Sequence, residues 1–455
     1  MINIKIDSRK VQKGDIFVAI KGHTVDGHDY IDKAIENGAS KIICEKDINV
    51  SVPYEKVNNS EEWLKDYLVK TYSKEINEMN LLGVTGTNGK TTTAYLTYQM
   101  LNMLGSKTGY IGTIGFYLPD EDFIEIDNTT PNILDLYELL ITAKSKGCMN
   151  VMMEVSSHAL SYERIAGLNF KVGAFTNLTE DHLDYHKTME NYLQAKLLFL
   201  NYLEGPIIIN MDDSYASRWV EKANKYVTLG KNGKDYQIVD FTDNLDGTII
   251  NLKYQGKDYT VKNHLKSHFN VYNYLTSVAI IHELGYSLED IFKISEDVKP
   301  PKGRCEQIKV KGGIAVVDYA HTPDAVEKII DAFLLNKKGK IITLVGCGGD
   351  RDPKKRPIMG KIASEKSDYV IFTSDNPRTE DPKLIMEDIL KGVTKDNYEV
   401  ILDRPTAIRK GLELINDNDV FLILGKGHED YQIIGHTKIH LDDMEEVQKY
   451  IDSLK

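Results

Sequence analysis

The run Gly86-Thr87-Asn88-Gly89-Lys90-Thr91-Thr92 carries the plainest chemical signal in the chain. Glycines let a backbone fold around phosphate with its N–H groups turned inward, and a helix starting there adds the positive end of its dipole. In that pattern Lys90 reaches the β- and γ-phosphates of ATP and Thr91 reaches Mg²⁺. The strict spacing of such a loop puts glycine at position 84, where this chain has Val84, so the loop is a variant.

Acids and imidazoles follow downstream. Glu154 closes the apolar run 151–154 and precedes Ser156, Ser157 and His158. A carboxylate at the tip of a parallel strand sits where ligands bind, and beside a phosphate loop it suits Mg²⁺. A surface acid is the plainer alternative, but three polar groups in the next turn favour a site. Residues 177–186 gather Asp181, His182, Asp184 and His186 in one loop. His182 can ligate a metal with Asp181 orienting it; by itself the loop reads better as a solvated acidic loop. Lys196 lies in an apolar helical stretch, and spacing alone reads it as exposed or snorkelling.

Near the end, 346–352, 374–378 and 425–429 each follow an apolar run. Three polar loops at three strand ends point to one shared rim. Arg351 and Arg378 suit bidentate clamping of a carboxylate. Any one of these loops alone reads as a turn with surface ion pairs.

These loops need parallel sheets to hold them. Apolar runs at 81–85, 151–155, 172–176 and 206–210 alternate with helical stretches such as 91–104, which implies a sheet covered on both faces. Residues 228–262 break the alternation and read as a β-hairpin insert. Pro300-Pro301-Lys302-Gly303 is the best linker. Beyond it strands are expected at 314–319, 341–345, 369–373 and 420–424. Before residue 78, strands at 15–20 and 40–44 flank a short helix. The fold class is α/β with three domains: a small N-terminal domain (1–78), a central P-loop domain with a parallel sheet (79–300) and a C-terminal Rossmann-like domain (301–455).

A length of 455 residues fits two or three domains. The formal net charge of −12 argues against nucleic acid or anionic membrane as a partner. Four dispersed cysteines form no zinc or disulfide pattern, and no apolar run reaches membrane-span length. No secretory signal is visible at the N-terminus. A cytoplasmic protein is expected.

Taken in order, the motifs resemble those of the Mur ligases, a family of ATP-dependent amide-bond ligases. They are Asp7-Ser8-Arg9 with Gly22-His23, the 86–92 loop, Asn128-Thr129-Thr130-Pro131, and Glu154 to His158. Then come Asn177 to His182, Lys196, Asn270 with Asn273, and Gly303-Arg304. Asp318 with His321, Asp375-Asn376-Pro377-Arg378 and Gly425 to Glu429 complete the series. The resemblance covers nearly the whole chain. It implies that the N-terminal domain binds UDP, through Ser8, His23, Thr24 and Val25. It implies that Asn128, Thr129, Thr130, Ser156 and Arg164 hold a muramoyl-dipeptide. Thr91, Glu154, His182 and Lys196 look like Mg²⁺ ligands, with Lys196 carrying a CO₂-derived carbamate. Lys90, Glu154, His182 and Lys196 would form the catalytic group. Asn270, Asn273, Arg304, Asp318 and His321 fall where the family contacts ATP. Arg351, Asp375, Asn376, Pro377, Arg378, Gly425 and Glu429 match its amino-acid pocket. The terminal arginine of the 375–378 motif is the pattern of members that add diaminopimelate. One departure stands out: the family's glycine two residues before Phe269-Asn270 is Ser267 here.

The activity so implied is ligation of meso-diaminopimelate to UDP-N-acetylmuramoyl-L-alanyl-D-glutamate through an acyl phosphate, for peptidoglycan, by a monomer acting on small molecules. The C-terminal domain is expected to close about 300–303. A lysine-adding ligase is the rival within the family, and a P-loop nucleotide switch is the rival outside it.

Overall fold

A computed structural model describes residues 2–22, 25–119, 123–244, 247–335 and 337–454. The expectations for His23 and Thr24 lie outside these residues.

The N-terminal sheet has four parallel strands in sequence order: Ile4–Lys5, Ile16–Val18, Lys41–Cys44 and Tyr54–Lys56. Side chains alternate along a strand, so neighbours enter different cores. Phe17 and Ile42 face a small local core with Ala34. Val18 and Ile43 join a core shared with Leu64, Leu68, Leu134 and Leu136. The sheet is thereby packed onto the next unit. Helix Ser60–Ile76 begins where the Asn59 side chain accepts from the Glu62 N–H.

The middle sheet has ten strands. At its heart Asn80–Thr85 lies between Asn150–Glu154 and Phe170–Phe175, all parallel. These strands are buried almost throughout, as two covered faces require. Residues 228–262 are not a separate hairpin. A three-stranded meander of Tyr236–Asn244, Gly247–Tyr254 and Lys257–Asn263 continues the sheet from the strand Tyr226–Gly230. Ile238, Ile250, Leu252 and Val261 give it one apolar face, which joins the main core.

The third sheet has the order Glu306–Val310, Gly313–Asp318, Val420–Leu424, Ile341–Val345, Tyr369–Phe372 and Tyr398–Val400. Only the first strand is antiparallel. Separate apolar clusters cover its two faces. A small hairpin, Tyr431–Ile434 with Thr437–His440, follows.

Register decides where the polar loops go. Thr85 pairs with Phe175, and Val84 pairs with Glu154, so three central strands end together. In the third sheet Asp318 pairs with Leu424, and Val345 with Phe372. Each sheet therefore presents its polar loops along one rim.

Candidate active site

The phosphate loop needs its two glycines. Gly86 has φ +147°, and a Cβ there would lie 2.0 Å from Thr176 Oγ1. Gly89 has φ +85° and caps helix Lys90–Met103; its Cβ would lie 2.3 Å from Asn273 Oδ1. Both positions combine left-handed backbone with close neighbours. Thr176 and Asn177, on the loop after the neighbouring strand, brace Asn88 by bonds of 2.7 to 3.0 Å.

Lys90 Nζ donates to the carbonyls of Gly86 (2.9 Å) and Thr87 (2.8 Å). Lys196, read from spacing as exposed or snorkelling, is instead 1% exposed and donates to Gly86 O at 2.8 Å. Its Nζ lies 4.6 Å from the centre of the Tyr192 ring. Burial, helped by the nearby Lys90 charge, holds the Lys196 amine well below its ordinary pKa. Burial also lowers Lys90 and His182.

Glu154 is wholly buried, and both its oxygens are engaged. Oε1 accepts from Tyr110 Oη (2.7 Å) and Thr113 N (2.9 Å); Oε2 accepts from Thr91 Oγ1 (3.0 Å) and Thr113 Oγ1 (3.2 Å). Tyr110 and Thr113 were not singled out from the sequence. Strand Thr108–Gly112 pairs beside Asn150–Glu154 and carries them there. His182 has φ +53° and places Nε2 3.5 Å from Asp181 Oδ2.

A cleft of about 550 Å³ runs from this loop to the third sheet. Thr87 to Thr92, Glu154, His182, Asn270, Asn273, Arg304, Asp318 and His321 all line it. Arg304 donates to Thr91 Oγ1 at 3.3 Å, and its guanidinium lies 4.5 Å from the Tyr319 ring centre. Its Nε is buried with no hydrogen-bond partner among the described residues. Asp318 accepts from the N–H groups of Cys305 and Ala320, each at 2.8 Å; burial raises its pKa while Arg304 opposes this. Ser267 takes φ +82°, ψ +138°. This chain thus keeps a glycine-like backbone with a serine, at an order of 1–3 kcal/mol.

Toward the acceptor side, Thr130 Oγ1 donates to Glu154 O, and Arg164 Nη1 donates to Thr130 O, both at 2.8 Å. Thr129 Oγ1 lies 3.0 Å from Thr113 Oγ1. Ser156 caps helix Ser157–Ser161, while Asn128 is exposed. Ser8 is buried in the N-terminal unit and Val25 is exposed there; no hydrogen bond joins either to the cleft among the described residues.

The C-terminal rim forms a second group. A Cβ at Gly348 would lie 2.9 Å from Arg378 Nη1 and 3.9 Å from Arg351 Cγ, so the two arginines converge on the 346–349 turn. Arg378 Nη1 donates to Gly349 O at 2.8 Å. Asn376 Nδ2 donates to Glu429 Oε2 at 2.8 Å. Gly425, at φ +115°, faces Asp375: a Cβ there would lie 2.6 Å from Oδ2. Pro377 is buried beside them. Tyr319 links the two groups, since it also lies 5.0 Å from the His428 ring.

Mg²⁺ favours hard oxygen donors and usually keeps phosphate or water among its ligands. The Thr91 hydroxyl and the Glu154 carboxylate fit that preference; the Lys196 amine does not, and its carbamate would. Among the described residues, no three His, Cys, Asp or Glu side chains form a ready-made cage.

Known proteins agree along the whole chain. The Mur ligase family catalytic domain matches residues 2–81, the Mur ligase middle domain 84–281, and the Mur ligase glutamate ligase domain 303–427. The UDP-N-acetylmuramoyl-L-alanyl-D-glutamate–2,6-diaminopimelate ligase of Clostridium botulinum is 41% identical over 99% of this chain and 95% of its own. The Bacillus cereus protein of that name is 40% identical over 99% and 94%. A solved structure of a ligase of that name superposes with TM-score 0.69 at 31% identity, over 100% of this chain and 95% of the other. A MurF ligase from Thermotoga maritima in complex with ADP shares the fold, with TM-score 0.69 at 21% identity over 99% and 97%.

Proposed function

The chain belongs to the Mur ligase family, and from that premise we infer that it joins 2,6-diaminopimelate to UDP-N-acetylmuramoyl-L-alanyl-D-glutamate, with ATP converted to ADP and phosphate. The observation that carries the reading is one cleft in which phosphate-loop residues meet Arg304, Asp318 and His321 from the third unit. Near-full-length likeness to diaminopimelate-adding ligases supports the choice of amino acid.

The reaction has two steps. A carboxylate oxygen of the acceptor attacks the γ-phosphorus of ATP and ADP leaves. The amine of the diamino acid then attacks the acyl phosphate carbonyl, loses a proton, and phosphate leaves. Anions repel, so positioning and charge neutralisation supply most of the rate. Lys90 and Arg304 are the cations for the phosphates. Arg164 and Thr130 suit the acceptor peptide, and Ser8 and Val25 its UDP end. Arg351 and Arg378 suit the distal carboxylate of diaminopimelate, with Glu429 and Asp375 for its ammonium. Thr91, Glu154, His182 and a carbamate on Lys196 would hold Mg²⁺, which when bound neutralises charge on the transferring phosphate. Burial disfavours the charged form of the Lys196 amine, and the neutral amine is the form that adds CO₂.

No helix of the described residues is long and apolar enough to cross a membrane. The four cysteines are buried, and their small number and wide spacing suit the cytoplasm. ADP release with the UDP-dipeptide should require meso-diaminopimelate and stay near background with L-lysine or no amine. Turnover with lysine alone would assign the other substrate; none with any amine would sink the ligase reading.

A further inference from the structure

Lys426 is wholly buried beneath the C-terminal rim, and the reaction above gives it no task. A buried ammonium persists only when its protons find partners. Its Nζ lies 3.1 Å from Glu429 Oε2 and 3.4 Å from Asn376 Oδ1, and it donates to Tyr431 O. An ammonium has three protons, and these three oxygens use them. None is left for an anionic ligand.

The partners form a closed chain. Asn376 Oδ1 also accepts from Ile433 N at 2.9 Å, and its Nδ2 reaches Glu429 Oε2. An amide oxygen facing a cation and an N–H has one orientation only. Lys426 and the Ile433 N–H together set which end of Asn376 meets Glu429. Among the described residues both side-chain bonds to Glu429 end on Oε2, which leaves Oε1 for an incoming donor.

We propose that Lys426 is a positioning residue of the amino-acid site: it orients Glu429 and Asn376 so that the carboxylate meets the ammonium of the incoming diamino acid. The inference rests on the ligase reading above. Burial and the Asp375 charge raise the Glu429 carboxyl, and Lys426 and Asn376 oppose them. Tyr319, Tyr431 and Arg404 also bear on Glu429 from neighbouring elements. Without the Lys426 charge Glu429 protonates at higher pH, so a Lys426→Met defect should be largest at low pH and fade as pH rises.

The test measures KM for meso-diaminopimelate from pH 6.5 to 9 in wild type and Lys426→Met, with ATP and acceptor saturating. The expected KM ratio is about tenfold or more at low pH, shrinking as pH rises, with KM for ATP unchanged. A ratio independent of pH, or an unchanged KM, would overturn the positioning role. Should Lys426→Met fail to fold by thermal melting, Lys426→Arg keeps the charge. Its KM should then follow the wild-type pH profile at a fixed offset, and a ratio that changes with pH overturns the proposal. If wild type lacks amine-dependent turnover, the ligase reading fails and this inference with it.

Discussion

At the central rim both lysines rest on peptide carbonyls, Lys90 on those of Gly86 and Thr87 and Lys196 on that of Gly86. At the C-terminal rim Lys426 rests on a carboxylate, and beneath it the wholly buried Arg404 grips Asp443 at 2.6 to 2.7 Å. A cation on a carbonyl keeps its full charge for a ligand. A cation on a carboxylate has that charge neutralised within the protein. The central rim is therefore built to receive an anion on Lys90, while burial disfavours the charged form of Lys196. The C-terminal rim receives one on Arg351 and Arg378, whose side-chain hydrogen bonds among the described residues go to carbonyls.

The sharpest way to break this contrast is Lys90→Ala. Loss of the phosphate-facing charge should slow acceptor-dependent ADP formation by about 10³-fold, as removal of a preorganised transition-state donor does. ADP formation at the wild-type rate would show that the charge is not used. Lys196→Ala should follow, with a loss of about 100-fold that added formate or acetate partly restores if a carbamate is the working form. A loss that no short carboxylate recovers would leave Lys196 as a packing residue. Arg378→Lys should be smallest, raising KM for meso-diaminopimelate about tenfold while KM for ATP holds, because a point charge replaces a planar fork. An equal change in both constants would mean that the arginine serves the loop and not the ligand.

How much of this was legible depends on the range of the interaction. The 86–92 loop is a local device, so glycine spacing and one lysine disclosed it. Apolar runs disclosed the buried strands for the same reason. Lys196 is different. Tyr192 is one turn back on its own helix, but the burial of Lys196 depends on where that helix docks and on a carbonyl 110 positions away. Spacing read it as snorkelling, and only resemblance pointed to a role. Tyr110 and Thr113 reach Glu154 through strand pairing, which leaves no mark in the residues around them. Residues 228–262 read as a β-hairpin insert because polar residues, Gly and Asp punctuate them; the apolar inner face of the meander shows only once the sheet edge at Tyr226–Gly230 is known. Ser267 shows the converse, since resemblance flagged the position and the backbone shows what it does there.

One carboxylate ties the two rims together. Asp324, in the first turn of helix Pro323–Leu334, accepts from Asn88 Nδ2 (3.0 Å) and Thr179 Oγ1 (3.1 Å) across the cleft. Asn88 belongs to the phosphate loop, and Asp324 to the unit that carries the amino-acid rim. A nucleotide that shifts Asn88 alters the free energy of that bond, and so does any ligand that shifts the helix. Linkage makes such effects reciprocal. To the extent that Asp324 carries the coupling, filling either pocket biases the other by the same factor, whichever ligand arrives first.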